Sequence, residues 1–445
     1  MWGRTVPILA KKTKAYGCSR AQNHDSTDNS IEPTHEVDLH IDSAALPLTH
    51  IILCRQNQPN SLQNTKQKTM ATCQAWPEPV VRVQSLAESG LSSIPSRYIR
   101  PQSQRPSNTT SFVTPKPSQT DYDNAYVHDH DHLNIPVIDL EHLFSKDQVL
   151  REKVFQQVSV VCKEWGFFQV VNHGVSHELM KSARELWREF FNQPLEMKEE
   201  YANSPTTYEG YGSRLGVQKG ATLDWSDYFF LHYMPPSLRN QAKWPAFPPS
   251  LRKVIAEYGE GVVKLGGRIL KMMSTNLGLK EDYLLNAFGG EGEIGACLRV
   301  NFYPKCPQPD LTLGLSPHSD PGGMTILLPD DFVSGLQVRR GDEWITVKPH
   351  PNAFIVNIGD QIQVLSNAIY KSVEHRVIVN SNQDRVSLAL FYNPRSDLLI
   401  EPAKELVTKE RPALYSPMTY DEYRLYIRLN GPCGKAQVES LASQT

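Results

Sequence analysis

The chain has 445 residues, enough for two or three packed layers around a well-buried core with tails to spare. Its 46 Lys and Arg against 48 Asp and Glu leave a net charge of −2, so there is no basic field to hold a polyanion, and nucleic acid is not an expected partner. Seven cysteines without a Cys-x-x-Cys spacing read as free thiols of a reducing compartment, and no apolar run approaches the roughly 20 residues of a membrane span. The expectation is a soluble cytoplasmic protein, with the nucleus as a second compartment, acting as a monomer or weak dimer.

Residues 1–69 are rich in Asn, Gln, Ser, Thr and Lys without a sustained period, and read as a disordered extension upstream of Met70. Arg4, Lys11, Lys12, Lys14 and Arg20 all precede the first acid, Asp25, which leaves an organellar transit segment as the alternative. Residues 70–133 form a leader and linker, the Pro-, Ser- and Thr-rich part ending in "HDHDH" at His128 to His132, a tract better read as solvated than as a metal site. Folded structure resumes with the strand-like "IPVIDL" from Ile135, and "QVSVVCKEWGFFQVVNHGV" passes from a helix into a second strand. Within this amino-terminal region, 134–292, apolar residues at Leu251, Val254, Ile255, Tyr258, Val262, Leu265, Ile269, Met272 and Met273 predict a scaffold helix over Leu251 to Leu279, interrupted in character only by Gly266-Gly267.

After Gly295 the period changes to two, in short runs such as "LRVNFYP", "MTILLPDD", "KSVEHRVIVN" and "VSLALFYNP" separated by Pro, Gly and Asp turns. Many short, evenly spaced strands predict a sandwich or jelly roll over 293–397. In 398–445, "TYDEYRLYIRLNGP" predicts a self-contained helix, with Thr419 and Glu422 as its capping box and Gly431-Pro432 as its stop. The fold class is α+β: a helical region, a jelly-roll core and a carboxy-terminal capping helix.

His-x-Asp occurs twice. His40-Ile41-Asp42 lies in the tail, where no histidine stands downstream at a distance comparable to that of His375 from His318 before His128 is reached, and is rejected. His318-Ser319-Asp320 lies at the end of a predicted strand, where residues two apart share a face, so His318 and Asp320 can reach one ion while Ser319 points away. His375 shares the phase of Val373, Val377 and Val379; alone it would be a packed core histidine, but with His-x-Asp upstream on a facing strand it completes two imidazoles and a carboxylate. That set leaves open positions on Fe(II), with tetrahedral zinc as the competing metal.

In "RVSLALFYN", Arg385, Ser387, Ala389 and Phe391 face one way, and an inward arginine without an acid on its face calls for an anionic ligand such as a carboxylate. Arg299 has the phase of Asn301 and Tyr303 and adds a second inward cation. Arg424 and Arg428, one turn apart, border the stripe of Tyr420, Tyr423 and Ile427, and would converge with Arg299 if the last helix closes over the barrel mouth.

His318-x-Asp320, His375 and Arg385-x-Ser387, joined by "WGFFQVVNHG" and "NFYP", resemble the plant soluble Fe(II)- and 2-oxoglutarate-dependent dioxygenases over roughly residues 70 to 435. Within them, "EPVVRVQSLAESGLSSIPSRYIRP", "DWSDYFFLHY" and "YRLYIRLNGP" are most similar to the jasmonate-induced oxygenases. The resemblance implies a double-stranded β-helix in which His318, Asp320 and His375 hold Fe(II). It places the distal carboxylate of 2-oxoglutarate on Arg385, Ser387 and Tyr303, with Asn301 near the chelating end, and O2 as the second co-substrate. It also implies that Arg299, Arg424 and Arg428 hold the carboxylate of jasmonic acid, while Phe230 and Phe391 pack on its ring and pentenyl chain. Phe391 follows from strand phase as well; Phe230 does not, because Phe229 could face inward instead. The expected reaction is hydroxylation of jasmonic acid to 12-hydroxyjasmonate, which would damp jasmonate-dependent defence. A flavonoid or another hormone as substrate, and a non-catalytic hormone-binding barrel, are the alternatives.

Overall fold

The computed structural model describes residues 81–106, 134–203, 208–213, 221–430 and 434–442, all within the unit Lys68–Thr445. The amino-terminal extension, the His128 to His132 tract and the Gly431-Pro432 stop therefore lie outside the described residues.

In chain order the strands are β1 (Val137–Asp139), β2 (Phe167–Val171), β3 (Gly210–Ser213), β4 (Asp227–Met234), β5 (Gly295–Tyr303), β6 (Leu315–His318) and β7 (Met324–Leu328). They continue with β8 (Leu336–Arg340), β9 (Glu343–Thr346), β10 (Phe354–Ile358), β11 (His375–Val377), β12 (Arg385–Asn393), β13 (Leu399–Ile400) and β14 (Met418–Thr419). One sheet has the order β1-β2-β10-β7-β12-β5-β4-β3 and a second the order β6-β11-β8-β9, while β13 and β14 pair separately. Only β1 and β2 run parallel; the other pairs of described strands are antiparallel.

Alternation along the strands gives the larger sheet two unlike faces. Leu298, Val300 and Phe302 of β5 and Val386, Leu388 and Leu390 of β12 are buried in the main apolar core with the helices. Their neighbours Arg299, Asn301, Tyr303, Arg385, Ser387 and Ala389 face the other way, into a cavity that Leu315, Leu336 and Val377 of the smaller sheet close from the opposite side. This is the expected jelly roll, with the polar face of one sheet turned inward.

The helical layer is started by local caps. Asp147 accepts from the N–H groups of Val149 and Leu150 at the helix Gln148–Glu164, and Ser176 accepts from Leu179 at His177–Phe191. The scaffold helix spans Leu251–Asn276 and runs unbroken through Gly266 and Gly267. It ends before Leu279 because Gly278 turns left-handed at φ 75° and the Leu279 N–H folds back to the Ser274 carbonyl at 3.0 Å.

Part of the stretch read as leader is built into the body. Val83, Ile94 and Tyr98 pack with Leu223, Trp225 and Cys306, and Arg100 ion-pairs with Asp224. The apolar residues of this segment are spaced irregularly around short turns, so no period announces them. At the other end, the helix Tyr420–Asn430 carries its capping box as expected: the Thr419 N–H donates to Glu422 Oε2 at 2.9 Å, and the Glu422 N–H to Thr419 Oγ1 at 3.3 Å.

Candidate active site

His318, Asp320 and His375 converge: one ligand atom from each lies within 4.8 Å of the others. His318 Nε2 and His375 Nε2 stand 3.5 Å and 3.6 Å from the same oxygen, Asp320 Oδ1. The route to this cluster differs from the sequence expectation in two ways. β6 and β11 are hydrogen-bonded neighbours with His318 opposite His375, rather than facing strands, because residue phase defines a face and not a pairing partner. Asp320 lies just past the end of β6, in the turn, yet Ser319 still points away, donating to Asp360 Oδ2 at 3.1 Å.

The atoms that do not face the centre are tied down. His318 Nδ1 is 2.8 Å from the Ser316 carbonyl and His375 Nδ1 is 3.2 Å from the Val373 carbonyl, which sets the proton on Nδ1 and leaves each Nε2 lone pair inward. Asp320 Oδ2 accepts from Asn357 Nδ2 at 2.8 Å and from the Thr325 hydroxyl, so Oδ1 alone is offered to an ion. Thr325 and Asn357 were not among the residues singled out from the sequence. The signal that could have found them is a polar residue inside an apolar strand run, which must find a partner when buried.

Burial opposes charge on Asp320, but the two imidazoles and the Asn357 amide more than reverse it and hold the carboxyl below its ordinary range. His375 is lowered to about 4, first by burial and then by His318. Two neutral nitrogens and one carboxylate oxygen on one side of a polar cavity suit a six-coordinate ferrous ion with open positions better than a closed tetrahedral zinc site.

Beside this cluster the cavity, about 190 Å³, is walled by Arg299, Asn301, Tyr303, Arg385, Ser387 and Phe391. Arg385 is buried, with its Nε donating to the Val333 carbonyl at 3.2 Å and Nη1 3.5 Å from Ser387 Oγ. Its guanidinium lies 5.1 Å from the Tyr303 ring centre, and among the described residues no carboxylate pairs with it. A buried cation with a hydroxyl and a phenol beside it is an incomplete ion pair, which a ligand carboxylate would complete.

Arg299 stacks 4.3 Å over the Tyr228 ring and donates from Nε to Asn301 Oδ1 at 2.8 Å. Phe230 is opposite Arg299 in the β4–β5 register and so shares its face, although it does not wall the cavity itself. Phe229 goes to the helices, where it packs between Trp187 and Phe190, so of the two Phe230 is the one on the cavity side of the sheet. Arg424 bonds Ser396 Oγ at 3.3 Å and lies near Cys297, whose thiol burial pushes up to about 12 while Arg424 pulls against it. Since Cys297 is two residues from Arg299 on β5, Arg424 reaches the same end of the barrel. The Arg428 side chain lies outside the described residues.

A model of the 2OG-Fe(II) oxygenase superfamily matches residues 294–394, and one described as non-haem dioxygenase in morphine synthesis N-terminal matches residues 135–250. Jasmonate-induced oxygenase 2 of Arabidopsis thaliana is 65% identical over 365 residues, 82% of this chain and 94% of its own length. Jasmonate-induced oxygenase 1 of the same plant is 61% identical over 82% of this chain and 87% of its own, against 40% for flavanone 3-dioxygenase 2 of Oryza sativa subsp. japonica over 76% and 92%. The crystal structure of JOX2 in complex with 2OG, Fe and JA superposes with a TM-score of 0.73 at 63% identity, covering 83% of this chain and 99% of that one. Identity of this order, spread over both the helical region and the barrel, fits the convergence of His318, Asp320 and His375 in one conclusion: the chain belongs to the 2OG-Fe(II) oxygenase superfamily, as a dioxygenase that works with Fe(II) and 2-oxoglutarate and is similar to the jasmonate-induced oxygenases.

Proposed function

We propose that this dioxygenase hydroxylates jasmonic acid near the end of its pentenyl chain, giving 12-hydroxyjasmonate and lowering the active hormone. The observation that carries the reading is a second inward guanidinium: Arg299 shares the cavity with Arg385, so there is one cation for each of two carboxylic acids. The identity to jasmonate-induced oxygenases and the JA-bound relative support the same substrate.

His318, His375 and Asp320 would hold Fe(II). Arg385, Ser387 and Tyr303 would take the distal carboxylate of 2-oxoglutarate, with Asn301 near its chelating end. When bound, iron and 2-oxoglutarate supply the oxidising chemistry: O2 is consumed, the keto acid becomes succinate and CO2, and a C–H becomes C–OH. The chain's own work is placement. Arg385 fixes the keto acid by a fork that a point charge would not provide. Arg299, with Arg424 and Arg428 from the last helix, anchors the substrate carboxylate at the mouth, so that the distal end of the molecule is directed inward. Phe391 presents apolar surface in the cavity, Phe230 on the same face of the sheet would extend it towards the ring and side chain, and the apolar wall of Leu315, Leu327, Leu336 and Val377 limits water around the reacting carbon.

The test is mass spectrometry of jasmonic acid after incubation with the protein, ferrous ion and 2-oxoglutarate. The expected product has gained one oxygen, only when the keto acid is present, and its fragments place that oxygen at the pentenyl terminus. Succinate released above background with a flavonoid but not with jasmonic acid would defeat the substrate assignment.

A further inference from the structure

Asp360 is fully buried and lies outside the cavity wall, yet it meets the His318–Asp320 turn, the segment leading into His375 and the carboxy-terminal helix. Its Oδ2 accepts from the Ser319 hydroxyl at 3.1 Å and from the Tyr423 hydroxyl at 2.6 Å, and its Oδ1 from the Ser372 hydroxyl at 2.7 Å. Its N–H donates to the Asp320 carbonyl at 2.8 Å. Ser319 stands between His318 and Asp320, Ser372 three residues before His375, and Tyr423 immediately before Arg424. We propose that Asp360 is a positioning residue that ties the carboxy-terminal helix Tyr420–Asn430 to the His318–Asp320 turn, and so fixes how far the substrate-carboxylate anchor on that helix stands from the reacting centre.

The chemistry favours a tether over general packing. Hydrogen bonds to a charged acceptor are about twice as strong as neutral ones, and their short reach defines distance where apolar contacts tolerate sliding. Tyr423 to Asp360, buried and 2.6 Å long, is a firmer fastening of this helix than the part-buried Arg424 to Ser396 at 3.3 Å. Tyr423 is almost wholly buried, so removing its hydroxyl leaves the ring to fill the same space and takes away the bond alone.

The tether rests on the jasmonate reading for its kinetic readout and is independent of it for its structural one. Tyr423→Phe should speed amide exchange over 418–430 while leaving 354–377 at wild-type protection. It should also raise the KM for jasmonic acid about tenfold, the loss of one hydrogen bond to a carboxylate, with the KM for 2-oxoglutarate held within about twofold. More succinate should form per hydroxylated product, because a displaced anchor leaves the substrate misplaced while the keto acid still turns over. Asp360→Asn, which keeps the shape and part of the bonding, should fall between wild type and Tyr423→Phe in exchange over 418–430. Exchange over 418–430 at the wild-type rate in Tyr423→Phe overturns the tether, and so does an equal rise in both KM values, which marks a general loss of order. Wild-type protein that ignores jasmonic acid would sink the substrate assignment instead; faster exchange in Tyr423→Phe would then still support the tether.

Discussion

Asn357 Nδ2 donates to Asp320 Oδ2 at 2.8 Å, on the far side of the carboxylate from both imidazoles. Together with the Thr325 hydroxyl it stops the carboxylate from rotating, so that one oxygen is left to face an ion. Asn357→Leu is close in volume and removes only that restraint. Outer partners of this kind are worth about 10- to 100-fold in metal affinity. Titration of the apoprotein with ferrous ion should show a loss of this size, and an unchanged affinity would mean that the carboxylate is oriented by something else.

Arg385 carries the second prediction, which has two parts of opposite sign. Its guanidinium is buried beside Ser387 and the Tyr303 ring without a carboxylate among the described residues. Removing one partner of a buried charge pair costs about 2–5 kcal/mol in binding, so Arg385→Met should raise the KM for 2-oxoglutarate by at least about 30-fold. In the absence of ligand the same substitution removes an uncompensated buried charge, and the thermal midpoint should hold or rise. A midpoint that falls by several degrees would show that the arginine is needed by the fold itself.

These two sites differ in how far they could be read from residue order. Arg385, Ser387 and Phe391 were legible because a period of two assigns every second residue to one face, and the same rule placed Arg299, Asn301 and Tyr303. His375 was legible only in company, since a histidine in phase with Val373 and Val377 is equally at home in a core. The pairing of β6 with β11 was not legible, because phase says nothing about which strand lies alongside. Phe230 needed the β4–β5 register, which turns Phe229 to the helices. Asp360 and Asn357 were hidden differently: each is a polar residue whose meaning depends on partners far away in the chain, Tyr423 in one case and Asp320 in the other.

His375 predicts a pH dependence of the apoprotein. Its ordinary value is 6.5, and burial, followed by His318, lowers it to about 4 in the folded chain. Between these values the unfolded chain binds a proton that the folded chain refuses, so His375 reduces stability as pH falls from 6.5 towards 4. Asp320 does not enter this window, because its carboxyl is held below the ordinary 3.8. Asp360, raised to about 6 by burial, slopes the other way, so the measurement is a difference between proteins. The thermal midpoint of metal-free His375→Asn minus that of wild type should become more positive from pH 6.5 to 4.5. A constant difference would refute the depressed value.

Gly266 and Gly267 are adjacent on the scaffold helix and predict opposite responses to one added methyl group. A Cβ at Gly266 would meet the Tyr392 ring at 2.6 Å, and that ring is buried between the helix and β12 with little room to shift. A Cβ at Gly267 would have the Tyr392 hydroxyl as its nearest neighbour, at 3.6 Å, an ordinary contact. Either alanine gains up to about 1 kcal/mol of helix propensity. At 267 nothing opposes that gain, so Gly267→Ala should raise the thermal midpoint. At 266 the gain is set against about 1–3 kcal/mol of overpacking in a filled core, so Gly266→Ala should lower it by a few degrees. Because Tyr392 follows Phe391 on β12, the displaced ring should also disturb the cavity side of that strand. Calorimetry of the two single variants, with succinate release as a second readout, separates the effects. If Gly266→Ala proved the more stable of the two, the close seating of this helix on the larger sheet would be wrong.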